Sequence, residues 1–447
     1  MVIRSALAPA LLLLAAALSP AAEPAKPLLR DFMGINFHTF QVGDPTLYAQ
    51  TCRLARDYHP FPWDVEADTA AAFPFPFSRE KMIKGKPVDW TAVYGGWRAA
   101  GYTKIDACIM QTDYTRDKFT IKNHPGDLER YGREFAAFFG PSGSHPLVDS
   151  MEVENEPEKW TDDAYRELFV AMARGIRAGD PKMKITPCNM TVLKPDNRWE
   201  KPLQILAGQE ALFDAISMHV YSLKAGWPSF ERTYPEAPGI PYLTSVDAMI
   251  AYRAEHKELA GKELWITEFG YDAASPQALK SADPKWVSST ELQQAQWLVR
   301  SFLLFAARDV QRAYIYFFDD ADGKSFHAAS GITRKGTPKP AFFAVRHLFA
   351  ALGDYRFKRV VVQDADAVYV YEFANDVGAV AWTVWSPTSG HPATERKIAG
   401  APGQVLRAEH LATTDEKPAP VKCQVASGNL MLSVDESPTL VFFKPKH

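Results

Sequence analysis

Residues 148–157, "VDSMEVENEP", form the stretch that decides the fold. Apolar and polar side chains alternate along it, which predicts a strand, and Pro157 ends that strand because proline cannot donate a ladder hydrogen bond. Glu152, Glu154 and Glu156 occupy alternate positions, so in a strand all three face one side. Glu156 then lies at the C-terminal end, and the two deeper glutamates need hydrogen-bond donors or a cation.

Seven other segments have strand character, and segments of helical period separate them. The strand-like segments are residues 32–38, 53–59, 103–110, 184–190, 213–221, 263–269 and 312–318. Helical periods are clearest over residues 126–140, 162–179 and 289–309, with Thr161 and Ser289 as predicted N-caps. Eight strands alternating with helices predict an α/β fold, a (β/α)₈ TIM barrel. An open doubly wound sheet is the rival, but no glycine-rich phosphate loop follows the first strand.

The two ends of the chain depart from this alternation. Residues 1–22 combine one arginine, an apolar run and small residues, which predicts a signal peptide and a secreted or periplasmic protein. After the last helical segment, short alternating strands broken by Gly, Pro, Asn and Asp predict a small Ig-like β-sandwich over residues 353–447. The barrel is therefore predicted over residues 23–352.

Composition argues against several classes of partner. A formal net charge of -3 gives no reason to expect nucleic acid or an anionic membrane surface, and we expect a monomer. The 27 Phe, 17 Tyr and 11 Trp suit a protein that binds flat, partly apolar ligands.

The four cysteines are scattered without metal-ligand spacing, so the sequence predicts neither a metal nor a cofactor. Cys108 and Cys188 are interpreted as buried thiols, with a disulfide as the alternative.

A second glutamate completes a pair. In "ELWITEFGYD", residues 263–272, Glu268 ends the seventh strand just before Gly270, which lets the backbone turn. Active sites of TIM barrels lie at the C-terminal ends of the strands, so Glu156 and Glu268 face each other across the mouth. Glycoside hydrolysis needs such a pair. One protonated carboxyl gives its proton to the leaving oxygen, and one ionised carboxylate attacks the anomeric carbon.

The motifs around this pair resemble a known group of enzymes. Asn-Glu-Pro at residues 155–157 and Thr-Glu-Phe-Gly at residues 267–270 resemble the two signatures of clan A glycoside hydrolases. A barrel followed by a β-sandwich is similar to families 39 and 158, which include β-xylosidases and endo-β-1,3-glucanases. The resemblance implies a retaining glycoside hydrolase that cleaves β-glycosidic bonds of a polysaccharide or oligosaccharide by double displacement.

The same resemblance implies roles for individual residues. Glu156 would be the acid/base and Glu268 the nucleophile. Asn155 would donate a hydrogen bond to the sugar's 2-hydroxyl. Tyr221 would hold an oxygen of the nucleophile, and His219 lies two residues deeper on the same face, either touching ligand or packed as a core histidine.

Arg56 in the second strand has two interpretations. The resemblance places it beside the nucleophile, where its charge keeps the carboxylate ionised. It could instead neutralise the buried Glu152 or Glu154 as a structural ion pair.

Further substrate contacts are predicted at the rim. His38 and His59 end strands one and two and are expected to face the mouth, where they contact sugar hydroxyls or cap the strands. Trp160 lies in a rim loop, where it stacks on sugar or anchors the loop. Clan members often have a tryptophan after strand eight as the floor for the reacting sugar. Here residues 314–320 read "YIYFFDD", so a phenylalanine, Phe317 or Phe318, is the predicted floor, with Phe318 taken as the site residue and a tryptophan from elsewhere as the alternative.

Two other functions fit the sequence less well than hydrolysis. A non-catalytic glycan-binding relative would normally lose one catalytic carboxylate, and both are present. A metal-dependent barrel hydrolase would place a His-x-His pair on strand one, which offers only His38. The sequence leaves the sugar, and exo or endo action, open.

Overall fold

The computed structural model describes residues 25–38, 43–64, 77, 81–83, 85–110, 125–157, 160–188, 191–192, 199–226, 229–280, 286–323 and 327–444. The predicted signal peptide and Glu158 lie outside these residues. Among the residues described, no helix combines the length and apolarity needed to cross a membrane.

In the described part of the chain, eight parallel strands form the barrel. They are β1 (Met33–Phe37), β2 (Leu54–Pro60), β3 (Lys104–Met110), β4 (Ser150–Val153), β5 (Lys184–Pro187), β6 (Ala215–Val220), β7 (Glu263–Phe269) and β8 (Arg312–Ile315). Hydrogen-bonded neighbours follow the order β5-β4-β3-β2-β1-β8-β7-β6, and the short strand Thr191–Val192 pairs with β6. That short strand follows β5 in the chain and pairs with β6, so it lies at the other end of the strand order from β5. The predicted barrel is confirmed.

Helices connect successive strands and cover the outside of the barrel. The longer ones are α1 (Trp90–Ala100), α2 (Pro125–Phe139), α3 (Asp162–Gly179), α4 (Pro241–Glu255), α5 (Glu291–Ala306) and α6 (Pro340–Leu352). One-turn or slightly longer helices are Pro45–Tyr48, Lys201–Ile205 and Pro276–Leu279. Short strands outside the ring are Lys81–Ile83, Lys86–Val88, Asp319–Asp320, Thr333–Arg334 and Thr337–Pro338.

Side-chain caps fix where two of these helices begin. Thr161 accepts a hydrogen bond from the first turn of α3, as the sequence predicts. Thr290 caps α5 and forms a capping box with Gln293. The prediction of Ser289 as this cap is wrong, because its hydroxyl instead donates to the carbonyl of Asp272 at 2.5 Å.

Helices α2 and α3 approach each other closely at glycines. A Cβ atom on Gly175 would lie 2.0 Å from the backbone oxygen of Glu129, and one on Gly132 would lie 2.5 Å from that of Met172. Real Cβ atoms do not make such contacts, so glycine is required at both positions for this helix pair to pack.

The barrel interior is polar and charged beneath its mouth. Arg56, Asp106 and Glu152 are all fully buried there. Lower in the barrel, the guanidinium of Arg312 lies 3.9 Å from the ring centroid of Trp265. Burial, with the charge of Glu152 adding to it, raises the pKa of Asp106 to about 7. Charged side chains therefore support the layer in which the two predicted catalytic glutamates end.

A β-sandwich follows the barrel after α6. Its strands are β9 (Tyr355–Asp364), β10 (Val368–Asn375), β11 (Val380–Trp385), β12 (Thr394–Ala399), β13 (Val405–His410), β14 (Cys423–Ala426), β15 (Asn429–Val434) and β16 (Thr439–Phe443). Antiparallel sheets of order β9-β10-β11-β16-β13 and β12-β15-β14 enclose a core that includes Val370 and Trp382. The other face of the larger sheet, with Tyr371 and Trp385, belongs to the hydrophobic cluster of the barrel.

Polar contacts also join the sandwich to the barrel. Arg300 of α5 forms a buried ion pair with Glu236, and the indole nitrogen of Trp385 donates to the same carboxylate at 2.6 Å. Arg300 also donates to the backbone oxygen of Thr388 at 3.0 Å. Barrel and sandwich therefore share one apolar and hydrogen-bonded interface.

Candidate active site

Glu156 reaches the mouth through an irregular turn. Strand β4 ends at Val153, and Glu154 and Glu156 both have positive φ angles, of 74° and 51°. Left-handed backbone is uncommon for residues with a side chain and is often found at functional sites. The backbone nitrogen of Glu156 donates to Sγ of Cys188 at 3.1 Å. The strand alternation expected from sequence therefore ends before Glu156, and the turn aims this carboxyl.

Glu268 is the more enclosed member of the pair. Its side chain is 6% exposed, whereas that of Glu156 is 34% exposed. Tyr221 donates to Oε2 of Glu268 at 2.6 Å, and Tyr58 donates to Oε1. Burial, and after it the charge of Glu268, raises the pKa of both phenols well above the usual range, so they remain protonated donors.

His219 lies between the two glutamates. Its Nδ1 is 3.0 Å from Oε1 of Glu156 and 3.5 Å from Oε2 of Glu268. Burial lowers the pKa of His219, but the charge of Glu268 and the hydrogen bond to Glu156 outweigh it, and the pKa is raised. Carboxylate oxygens of Glu156 and Glu268 and a ring nitrogen of His219 lie within 4.8 Å of one another.

Arg56 combines the two interpretations that the sequence left open. Its Nε donates to Oε2 of Glu152 at 2.5 Å, and its Nη1 lies 3.3 Å from Oε1 of Glu268. Nη1 also donates to Oδ1 of Asn36 at 2.8 Å, and Nη2 donates to Oδ1 of Asn155 at 3.0 Å. One buried guanidinium thus neutralises the deeper glutamate and stands beside the shallower one.

Asn155 is oriented by this arginine. Because Arg56 donates to the side-chain oxygen of Asn155, the amide nitrogen faces away from the guanidinium and can donate to a ligand. The backbone nitrogen of Asn155 donates to Oε1 of Glu154 at 3.0 Å. Glu154 is buried and so supports the turn that carries Asn155 and Glu156.

An aromatic wall borders the pair. His38 is half-buried and lies edge-on to Tyr58 with ring centroids 5.1 Å apart. Tyr316, also half-buried, lies 6.3 Å from the ring of Tyr58. Burial, and after it the charges of Glu268 and Glu156, raises the pKa of Tyr316.

The prediction of Phe318 as the sugar floor is wrong. Phe318 is 2% exposed and packs between Phe37 and Tyr48, with ring centroids 5.5 Å from each. It belongs to the barrel core. Tyr316, the residue that follows the end of β8, is half-buried and lies beside Tyr58 at the catalytic layer.

The prediction that His59 faces the mouth is also wrong. Arg56 and Tyr58 face the interior, so the next residue, His59, points outward toward α1. There it stacks on Trp90 with ring centroids 3.7 Å apart and lies 2.5 Å from Oδ2 of Asp64. His59 is fully buried and cannot reach a ligand in the mouth.

Trp160 lies where its rim loop meets the barrel. It is half-buried and packs against the barrel core, and its backbone nitrogen donates to the oxygen of Pro157 at 3.0 Å. Through these contacts Trp160 anchors its loop, which is the second of the two roles predicted for it.

The sequence interpretation did not assign three residues of the site to it, namely Tyr58, Tyr316 and Cys188. Tyr58 and Tyr316 follow Arg56 and Tyr314 by two positions, so strand alternation alone would have placed both on the inward face. Cys188 gave no comparable signal, because its partners His219 and Glu156 come from other strands.

A buried ion pair supports Tyr221 from behind. The guanidinium of Arg232 lies 4.9 Å from the ring centroid of Tyr221, and its Nε donates to Oδ1 of Asp272 at 2.9 Å. Trp286 donates to Oδ2 of the same carboxylate at 2.9 Å. The contacts link a rim loop to the tyrosine that holds Glu268.

Two sets of described side chains have ligand atoms close enough to hold a cation. One is Glu156, His219 and Glu268 at the mouth, and the other is Glu152, Cys188 and His219 beneath it. The three barrel cysteines, Cys52, Cys108 and Cys188, are buried free thiols.

The sequence matches no protein-family model and no curated protein. Solved structures share the fold over nearly the whole chain. A family 39 glycoside hydrolase from the gut symbiont Bacteroides cellulosilyticus WH2 is 17% identical with a TM-score of 0.67, covering 94% of this chain and 81% of that one. A glucosidase from Croceicoccus marinus is 13% identical with a TM-score of 0.64, covering 95% and 98%. CelM2, a bifunctional glucanase-xylanase from a metagenome library, is 12% identical with a TM-score of 0.62, covering 94% and 97%. The architecture expected from the two motifs is therefore that of glycoside hydrolase structures.

Proposed function

We propose that this protein is a retaining glycoside hydrolase that cleaves β-glycosidic bonds. The observation that carries the proposal is the separation of Glu156 and Glu268, whose nearest described carboxylate oxygens lie within 4.8 Å. Retaining enzymes hold their two carboxyl groups about 5–5.5 Å apart, whereas inverting enzymes keep about 6.5–9.5 Å to admit a water molecule. The short separation supports direct attack by one carboxylate.

The different surroundings of the two glutamates support their roles. Glu268 receives two phenol donors and a guanidinium, which stabilise an ionised carboxylate ready to attack the anomeric carbon. Glu156 is the more exposed and gives its proton to the leaving oxygen as the glycosidic bond breaks. In the second step Glu156 takes a proton from water, the water oxygen bonds to the anomeric carbon, and Glu268 leaves.

The neighbouring residues support binding of a pyranose ring at the pair. The amide of Asn155 donates to the 2-hydroxyl, and Tyr316 offers an aromatic face to the sugar. The proposed substrate is a β-linked glucan or xylan, as for an endo-β-1,3-glucanase or a β-xylosidase. The names of two fold neighbours, a glucosidase and a glucanase-xylanase, agree with this range. We further propose that the protein is exported.

Substitution of each glutamate tests the proposal. Glu268→Ala should lose hydrolysis of every substrate, because the attacking group is gone. Glu156→Ala should lose hydrolysis of natural sugars but keep glycosylation by an aryl glycoside whose leaving group needs no proton. The anomeric configuration of the first product, followed by NMR on β-1,3-glucan and xylan, should be retained.

A glycan-binding protein without catalysis is the second candidate. It would bind the same polymers without releasing products, and Glu268→Ala would leave this binding unchanged. Inverted product from the wild-type protein would contradict double displacement while leaving hydrolysis intact.

A further inference from the structure

We propose that Glu152, Cys188 and His219 form an inhibitory zinc site beneath the catalytic pair. The three side chains come from β4, from the end of β5 and from β6, and all are fully buried. Thiolate, imidazole and carboxylate are the protein ligands that zinc takes, and a site with three of them leaves a fourth position for water. The sequence contains no metal motif here because the ligands are far apart in the chain.

The distances suit zinc without a large rearrangement. One ligand atom from each residue lies within 4.8 Å of the others, and Sγ of Cys188 is 3.8 Å from Nε2 of His219. Zinc binds sulfur at about 2.3 Å and nitrogen at about 2.0–2.1 Å, so a tetrahedral ion separates the two atoms by about 3.6 Å. An ion therefore fits between the thiol and the imidazole.

The surrounding contacts leave ligand atoms available. Arg56 binds Oε2 of Glu152, while Oε1 accepts a long bond of 3.4 Å from Thr267, which an ion would replace. On binding, the thiol of Cys188 releases its proton to solvent and the ion gains a thiolate.

Binding there would switch off the acid/base, a consequence that rests on the proposed function. Two of the proposed ligands also hold Glu156, because Sγ of Cys188 accepts a hydrogen bond from its backbone nitrogen at 3.1 Å and Nδ1 of His219 lies 3.0 Å from its Oε1. An ion that binds Sγ of Cys188 and Nε2 of His219 shifts both contacts, and the turn that aims Glu156 at the leaving oxygen shifts with them. We therefore expect kcat to fall while sugar binding above the ion is unchanged.

The rival location is the mouth itself. An ion held by Glu156, His219 and Glu268 would occupy the place of the reacting sugar and compete with it. That site does not involve Cys188. The two locations therefore differ in the kinetic pattern of inhibition and in their dependence on one thiol.

Cadmium binding tests the site independently of activity. The full-length, metal-free protein is titrated with Cd²⁺, and binding is followed by calorimetry and by the ultraviolet thiolate-to-cadmium absorption. One equivalent should bind with this absorption, and excess Zn²⁺ should abolish it. Cys188→Ser should remove the band and weaken binding at least about tenfold, the smallest loss usual for disturbing a metal site. Cys423→Ser, in the sandwich, is the matched control and should bind as the wild type.

Two outcomes would overturn the proposal. One is a thiolate band that persists in Cys188→Ser, or in Cys188→Ala should the serine variant not fold. The other is Zn²⁺ inhibition that raises KM and acts equally on the wild type and Cys188→Ser, which assigns the ion to the mouth. If no hydrolysis is found in any variant, the proposed function fails, and the cadmium titration still decides whether the site exists.

Discussion

Tyr221 and Glu268 are joined by a 2.6 Å hydrogen bond from the phenol to Oε2 of the carboxylate. Tyr58 donates to the other oxygen, Oε1, from the opposite side of the barrel. The two phenols hold the plane of the carboxylate from both ends, and burial, with the charge of Glu268, raises the pKa of both well above the usual range, so they remain protonated donors. The nucleophile is thus fixed by donors from β2 and from the end of β6.

Removal of either phenol should slow the reaction. We expect Tyr58→Phe and Tyr221→Phe each to lower kcat/KM by about 10- to 160-fold, because a hydrogen bond to a charged group contributes about 1.5–3 kcal/mol. The measurement is kcat/KM on an aryl glycoside. Tyr242→Phe removes a buried phenol bonded to Ser301 on the outside of the barrel and is the matched control. A loss as large in that control would assign the effect to folding.

Tyr316 should contribute to sugar binding while Phe318 contributes to stability. Tyr316→Ala should raise KM by about 2- to 10-fold, the range of a lost aromatic contact of about 0.5–1.5 kcal/mol. Phe318→Ala should lower the free energy of unfolding by about 3–5 kcal/mol, because it leaves a cavity in the core. Kinetics and urea unfolding of both variants separate the roles. A KM change in folded Phe318→Ala with none in Tyr316→Ala would reverse the assignment.

Replacing only one partner of the ion pair between Arg232 and Asp272 should lower the free energy of unfolding more than replacing both. Their side chains are 1% and 0% exposed, and removing one partner of a buried pair leaves an uncompensated charge that costs about 3–5 kcal/mol. Asp272→Leu should therefore destabilise the protein more than the double variant Asp272→Leu/Arg232→Met. Urea unfolding of the two single variants and the double variant gives the comparison. Strictly additive losses would contradict the coupling.

Two glycines in helices should respond to alanine in opposite directions. Gly175→Ala should destabilise the protein, because its Cβ would meet the backbone of α2 at 2.0 Å. Gly96→Ala in α1 should stabilise it by about 0.5–1 kcal/mol, since a Cβ there meets nothing within 4 Å and alanine favours a helix. Thermal unfolding of both variants checks the pair. Equal shifts would mean that helix propensity alone decides both positions.

The ion pair of His410 and Asp435 should stabilise the sandwich within a limited pH range. The hydrogen bond to Asp435 raises the pKa of His410 above 6.5, so its contribution is full below pH 6.5 and is lost as pH rises through the folded value. Burial raises the pKa of Asp435, but the bond to His410 outweighs it and the pKa falls below 3.8, so that contribution is lost only at lower pH.

The variant His410→Gln should accordingly be less stable between pH 3.8 and 6.5 and approach the wild type at higher pH. Both side chains are 36% exposed, so the difference should be no more than about 1 kcal/mol and should shrink at high salt. Unfolding at several pH values, with and without 1 M salt (about a 3 Å screening length), measures it. A difference that grows above pH 6.5 would contradict the assignment.

Strand alternation accounts for both the successes and the errors of sequence interpretation. Period two along β2 places Arg56 and Tyr58 inside, and the same rule places His59 outside, where the structure has it. The error at Phe318 arises where this alternation stops: period two would place Phe318 on the same face as Tyr314 and Tyr316, but β8 ends at Ile315. Where the strand backbone is regular, the spacing of residues in the sequence predicts which face each side chain occupies.

The sequence by itself determined the order of eight strands and helices, the β-sandwich after them, and two glutamates, one just after β4 and one near the end of β7. These features are local, since they depend on periodicity and on the residues that end each element. Only the tertiary structure decided how the side chains meet. The positive φ of Glu156 turns it out of the strand pattern, and the sheet register brings Cys188, His219 and Tyr58 beside the pair. Those positions depend on contacts between distant strands, which no single segment of sequence specifies.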